Sequence, residues 1–538
     1  MLPSMESVAA APGVPAQSRS RAITLLLLTA WIGFTVVLGL LYARVPPNPD
    51  QATFDYIGWI VGSGGHVYVD ATEINFPGQM WINAVSTILF GHHVWSYRVF
   101  DYLMMLGGAF LLASLLRTKL GTARALLVVP LYQVAYVTAG WWMAGQRDIV
   151  ASHLLFAAGL AYRARLRGAS RGWLAAFALA VTYATLIRPT YGVFAFFIVL
   201  MDYLTRKENH RSVRMVIADG SLAAAVCIAL LAALALGGWR SGALAAWHEG
   251  TIRFMSEVNT RESTHTGVMQ KFVELLAGWH WYFGFAVAGA WLWWRDGRDR
   301  SALHLVATLA LTVATSAEVL RKGFGYHWGG MLPVLITLDA YFIWWCIDFA
   351  LQARTARRVA LAGVVCGIAV LGMAKKVRGS LGPQIAWTSG AGSAREMFAS
   401  LPSGVEGASY ADVIDASEYL RATVPPQGTV MVLNRLVQLN FMSERRSPTR
   451  FPTIFMLIHA REGFSRVAEW TREVELAFAQ RPPEVIVMTA GEENEEMILA
   501  DPKPSPPVAV IRRELASHFR KEKAFGALEV YRRQRPGQ

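Results

Sequence analysis

Four carboxylates gather in one polar stretch of an otherwise apolar chain: Asp50, Asp55, Asp70 and Glu73. They fall in Val45-Pro-Pro-Asn-Pro-Asp50-Gln-Ala-Thr-Phe-Asp55 and Tyr68-Val-Asp70-Ala-Thr-Glu73-Ile-Asn75-Phe-Pro77. A carboxylate at a membrane surface can serve as general base toward a hydroxyl, and two from separate loops can hold a divalent cation such as Mg²⁺ or Mn²⁺. Further charged groups stand at the ends of apolar runs: Arg147-Asp148 in Gly-Gln-Arg-Asp, Arg188 before Pro189, and Arg321-Lys322-Gly-Phe-Gly-Tyr326-His327. Such cations suit an anionic leaving group such as phosphate. Each residue also has a plainer reading. Asp50 after Pro-Asn-Pro suits a helix N-cap, Asp55 an exposed or capping position, and Asp70 a turn. Arg147 and Asp148 suit an ion pair at a helix end, and Arg321 and Lys322 suit interfacial snorkelling. His327 beside Trp328 suits an interfacial aromatic belt. The joint placement at one membrane face is what favours a site.

That placement depends on the apolar runs. The chain has 538 residues, 54% hydrophobic and only 17% charged, with 19 Trp. Mean hydropathy is +0.33. The runs predict a polytopic α-helical membrane protein of about eleven spans: 22–43, 96–116, 124–143, 149–163, 172–187, 190–205, 216–237, 279–294, 301–319, 330–350 and 358–374. The run 149–163 is short, so a tilted or partly re-entrant segment is expected there. Basic clusters such as Arg163/Arg165/Arg167/Arg171 and Arg354/Arg357/Arg358 follow every even-numbered span, which puts the N-terminus in the cytoplasm. The loops 45–95 and 238–278, the turns at 144–148 and 320–328, and the C-terminal part then lie outside. A net charge of +13 concentrated in short loops points to anionic lipid headgroups and not to nucleic acid. The three cysteines, Cys227, Cys346 and Cys366, each lie in apolar runs and read as packing residues. No Asn-x-Ser/Thr occurs, which favours a bacterial inner membrane. Ile23–Tyr42 lacks a small-residue cleavage site and reads as a retained first helix.

The expected organisation is a cytoplasmic tail (1–21), a membrane part (22–375) with the loop 45–95 outside, and an extracytoplasmic, periplasmic α/β domain (376–538). In the last, 411–422 and 464–480 read as helices, and 429–433, 484–488, 508–512 and 527–531 as strands. The segment 501–507, with four prolines, reads as an exposed loop.

The loop pattern resembles the GT-C superfamily of membrane glycosyltransferases, whose members include aminoarabinose and protein mannosyl transferases. Its residues here are Asp50-Gln51, Phe54-Asp-Tyr-Ile-Gly-Trp59, Gly65-His-Val-Tyr68, Asp70, Glu73-Ile-Asn75-Phe-Pro77, Phe90-Gly91 and Arg98. Arg147-Asp148 resembles the family's second acidic site, and Tyr326-His327 with Leu332-Pro333 its aromatic-His motif. Arg445-Arg446 and Thr449-Arg450-Phe451 resemble its C-terminal domain. Gln51 replaces a second acid, and Asn75 and Phe76 replace a Lys-Pro.

The resemblance implies transfer of a sugar from a polyprenyl phosphate to a glycan, lipid or protein acceptor, with inversion. It implies Asp50 as catalytic base, with Asp50 and Asp148 as ligands of a divalent cation. Arg188, Arg321, Lys322 and His327 would bind the donor phosphate, and Asp55, Tyr68, Glu73, Asn75, Arg147 and Tyr326 would line the substrate site. A lipid-linked glycan flippase would place charges at span centres and show repeated halves, neither of which is visible here. An O-antigen ligase or polymerase would carry a long functional loop late in the chain.

Overall fold

The computed structural model describes residues 16–259, 268–297, 299–316, 325–353, 355–433, 435–490 and 501–534. The chain is mostly helical, and a helix stands at each predicted apolar run. Among the described residues, four helices are long and apolar enough to cross a membrane: Ser96–Leu120, Val213–Arg240, Tyr326–Gln352 and Ala356–Thr388. Five shorter apolar helices accompany them: Leu28–Tyr42, Thr122–Val137, Gly172–Ile187, Pro189–Thr205 and Arg300–Ala314. Val213–Arg240 buries little beyond Val216, Asp219 and Ala223, leaving Ile217, Ile228, Leu231 and Leu236 exposed. An apolar helix left so bare in a folded chain is built to meet lipid. The predicted short segment at 149–163 is instead a helix from Arg147 to Leu166, 20 residues or about 30 Å long. Its polar first turn, Arg147-Asp148, hid the true start from a hydropathy reading.

Two helices form the loop after the first helix, Pro49–Gly62 and Gly78–Phe90. They pack so closely that a Cβ on Gly58 would lie 2.6 Å from the Asn83 carbonyl carbon. Arg98 holds this loop down. Its guanidinium donates to the carbonyls of Val45 (2.9 Å), Pro46 (2.6 Å) and Ala144 (2.8 Å).

The C-terminal part carries a four-stranded sheet: β1 Val430–Val432, β2 Val485–Thr489, β3 Phe519–Phe525 and β4 Leu528–Arg533, in the order β1-β2-β4-β3. β1 and β2 run parallel, and the other pairs are antiparallel. Alternation puts Val430, Val432, Val485 and Val487 against the helix Tyr410–Thr423. The opposite face, with Met431, Ile486 and Met488, meets the helices Val467–Gln480 and Pro506–His518. The last helix corrects the strand expected at 508–512. Pro506 and Pro507 suit a first helical turn, and Val508, Ile511 and Leu515 recur at helical spacing and are buried. It also ends the predicted loop at Ser505.

Candidate functional site

The loop helix begins on an N-cap that is Asn48 and not Asp50. The Asn48 Oδ1 accepts from the Gln51 amide N–H at 3.0 Å, and Pro49 fills the first helical position. Asp50 is thereby freed from capping. It sits half-buried in the first turn, within electrostatic range of Glu73, Arg147 and Tyr326. Gln51 points elsewhere and donates to the Ala144 carbonyl, so it ties the loop to the 144–148 turn.

Glu73, Asn75 and Tyr68 form one network. Asn75 Nδ2 donates to Glu73 Oε1 at 2.8 Å, and the Tyr68 hydroxyl donates to the Asn75 carbonyl at 2.6 Å. Tyr68 takes a φ of 71°, an unusual conformation for a bulky residue, which turns its ring inward. Burial, then the neighbouring Asp50 charge, push the Glu73 carboxyl up to about 7.

Arg147 and Asp148 are adjacent and behave differently. Asp148 is buried and accepts both Arg188 Nε (2.8 Å) and Nη2 (2.7 Å). Arg188 Nη2 also lies 2.7 Å from His327 Nδ1, and that nitrogen is 3.6 Å from Asp148. Arg147 is equally withdrawn, 7% exposed, but its Nε has no hydrogen-bond partner among the described residues. Its guanidinium lies 5.5 Å from the centre of the Phe54 ring. A buried donor left unmatched costs free energy unless a ligand meets it. Tyr326 stacks on Trp142 at 6.0 Å beside this group.

The structure therefore brings Asp50, Glu73, Asn75, Tyr68, Arg147 and Tyr326 to one place, with Asp148, Arg188 and His327 behind Arg147. It does not bring Asp55 there. Asp55 faces the second loop helix and accepts from Asn83 Nδ2 at 2.7 Å. Burial pushes its carboxyl up to about 7, as suits a buttress. Asp70 is an exposed turn residue whose Oδ2 accepts from the His66 amide N–H at 2.7 Å. Arg321 and Lys322 lie outside the described residues. Both Asp148 oxygens, proposed with Asp50 as ligands of a cation, accept from Arg188. Among the described residues no group of three or more His, Cys, Asp or Glu is placed to hold a metal.

Sequence reasoning missed Glu249. It accepts from Arg450 (2.7 Å), Arg466 (2.9 Å) and the Trp470 indole (2.7 Å), and so pins the C-terminal part down. The Arg450 carbonyl accepts from the Thr72 amide N–H at 2.7 Å, and Thr251 donates to the Glu73 carbonyl at 3.2 Å. The C-terminal part thus braces the residue next to Glu73. Only its position in a long polar loop hinted at this. A cavity of about 500 Å³ lies nearby, between Tyr56 and Asp70 of the loop and Arg446, Arg450 and Glu473.

Residues 76–239 match the family model described as dolichyl-phosphate-mannose-protein mannosyltransferase. No curated protein matches the chain. Among solved structures, ArnT from Cupriavidus metallidurans bound to undecaprenyl phosphate is similar at a TM-score of 0.54 and 16% identity, covering 94% of this chain and 98% of that one. The apo form of the same protein gives 0.53 and 15% over the same shares. The fold is that of ArnT. The GT-C resemblance drawn from the loop is thus matched by the fold over almost the whole chain. The archaeal oligosaccharyltransferase AglB from Archaeoglobus fulgidus is a more distant likeness, at 0.49 and 12%, covering 94% of this chain and 74% of that one.

Proposed function

We propose that the chain is a membrane glycosyltransferase that moves a sugar from a polyprenyl phosphate to an acceptor hydroxyl or amine on the extracytoplasmic face, with inversion. The observation that carries this is the pairing of a half-buried Asp50 with a buried guanidinium, Arg147, whose Nε is unmatched, on the fold shared with ArnT. In this reading eleven spans keep the N-terminus cytoplasmic and put the loop 45–95 and residues 376–538 outside.

Asp50 accepts the proton of the acceptor nucleophile as its lone pair attacks the sugar's anomeric carbon. The bond from that carbon to the phosphate oxygen breaks, and its electron pair leaves on the lipid phosphate. Arg147 meets the charge that develops there, in place of the lysine that Asn75 replaces. Asp148 accepts from Arg188 through both oxygens, so the pair serves to set Arg147 and His327 in place. Glu73, its carboxyl raised toward neutrality by burial, adds little negative charge beside Asp50. General-base help of this kind contributes roughly 10²–10⁴-fold.

The test is transfer by purified protein from a panel of radiolabelled polyprenyl-phosphate sugars to a membrane extract, with the anomeric configuration of donor and product compared. Transfer with inversion supports the reading. Retention of configuration, or glycan translocation without transfer, contradicts it.

A further inference from the structure

The last membrane helix, Ala356–Thr388, carries three cations at its outer end and no acid along its length: Lys375, Lys376 and Arg378. In the proposed topology they lie at the outer surface, where Lys and Arg are normally scarce. None forms an ion pair with a described residue. Lys375 and Arg378 are exposed, as snorkelling would give. Lys376 is half-buried and turns inward, its Nζ 4.8 Å from the centre of the Tyr282 ring.

Two more donors meet it there. Tyr282 is 1% exposed, and its hydroxyl has no hydrogen-bond partner among the described residues. Trp281 is 8% exposed, and its indole Nε1 has none either. Trp281 and Tyr282 pack ring on ring at 3.8 Å. Gly372, one turn before Lys376, admits the indole: a Cβ there would lie 3.0 Å from Trp281 Nε1. The Lys376 ammonium therefore lies over the ring of Tyr282, whose hydroxyl, like the neighbouring Trp281 indole N–H, has no hydrogen-bond partner among the described residues; the Asp339 carboxylate is within electrostatic range of that hydroxyl. Hydrogen-bond donors are rarely left so, and a set of donors flanked by two exposed cations matches one ligand chemistry, a multiply accepting anion held at the bilayer surface.

We propose that Trp281, Tyr282 and Lys376, flanked by Lys375 and Arg378, form a second binding site for the phosphate of a membrane lipid, apart from Asp50 and Arg147. The inference uses the proposed membrane placement but not the proposed reaction.

The test is native mass spectrometry of the full chain in detergent, with polyprenyl monophosphate, the corresponding polyprenol, phosphatidylglycerol and inorganic phosphate as separate probes. It is run in wild type and in an Arg147→Gln background, which removes the proposed donor contact. Replacing Lys375, Lys376 and Arg378 together by Gln is expected to remove one bound polyprenyl phosphate from wild type and to weaken lipid-phosphate binding at least tenfold in the Arg147→Gln background. Tyr282→Phe is expected to weaken it less, and Lys376→Arg to retain it. A loss confined to polyprenyl monophosphate names the carrier lipid as occupant, and an equal loss for phosphatidylglycerol names the bulk phospholipid. Unchanged binding in the triple variant, equal binding of the polyprenol, or binding of inorganic phosphate alone overturns the proposal. An unaltered melting temperature of the triple variant shows that the fold is kept. Absence of sugar transfer would sink the catalytic reading while leaving this result standing.

Discussion

Arg147 and Asp148 are neighbours on one helix turn, and they divide the candidate site into two halves. Behind, both Asp148 oxygens accept from Arg188, at 2.8 and 2.7 Å, and His327 Nδ1 lies 2.7 Å from Arg188, all three residues being buried. In front, Arg147, Asp50 and Glu73 carry as much charge, yet Arg147 Nε is unmatched and Glu73 is strained toward neutrality. The Asp148 carboxylate is met by protein donors and the Arg147 Nε by no acceptor among the described residues, and in the proposed reading that difference separates a scaffold from a reaction centre. A closed ion pair fixes geometry, whereas an open set of donors and acceptors waits for a ligand.

The two halves should break differently. Asp50→Asn is expected to lower kcat by roughly 10²–10⁴-fold with an unchanged melting temperature, since it removes a base and no packing. Arg147→Gln is expected to cost roughly 10²–10³-fold in kcat, again with little loss of fold, as for removal of one charge-stabilising donor. Asp148→Asn belongs to the closed half. Stranding buried Arg188 is expected to cost about 3–5 kcal/mol, read as a lowered melting temperature with activity lost in proportion to folded protein.

Glu73 gives a pH signature. Its folded pKa of about 7 lies above the ordinary 4.5, so the native state holds a proton that the unfolded chain gives up between those values. The stability contribution is full below 4.5 and declines as pH rises through about 7, by about 3 kcal/mol at most. Melting curves of wild type and Glu73→Gln should therefore diverge across that window and run parallel outside it. The smallest effect is expected from EDTA, because among the described residues no group of three or more His, Cys, Asp or Glu is placed to hold a metal: transfer should survive chelation.

The helices were legible because each apolar run is long and bounded by charge, and the loop was legible because its acids interrupt such runs. The segment 506–518 was misread because Val508-Ala-Val-Ile511 alone looks like a strand. The helical repeat shows only once Leu515 is counted. β3 was missed because Phe519-Arg-Lys-Glu-Lys-Ala-Phe525 is a charged edge strand with one buried residue, Phe519. Within the site, Asp50 and Arg147 were found by residue type. The pairing of Asp148 with Arg188, 40 residues away, and the binding of Arg450 by Glu249, 201 residues away, depend on the folded chain. So does the diversion of Asp55 to Asn83. No spacing rule reports which of two adjacent charges is satisfied.

The most direct test of the open half is a side-by-side measurement of kcat for Asp50→Asn, Arg147→Gln and Asp148→Asn, each normalised to folded protein, with a donor that wild type uses. A loss of at least 100-fold per folded molecule in the first two, with Asp148→Asn within tenfold of wild type, is the expected result. Wild-type turnover per folded molecule in Asp50→Asn would contradict the account and place the base elsewhere on the external face.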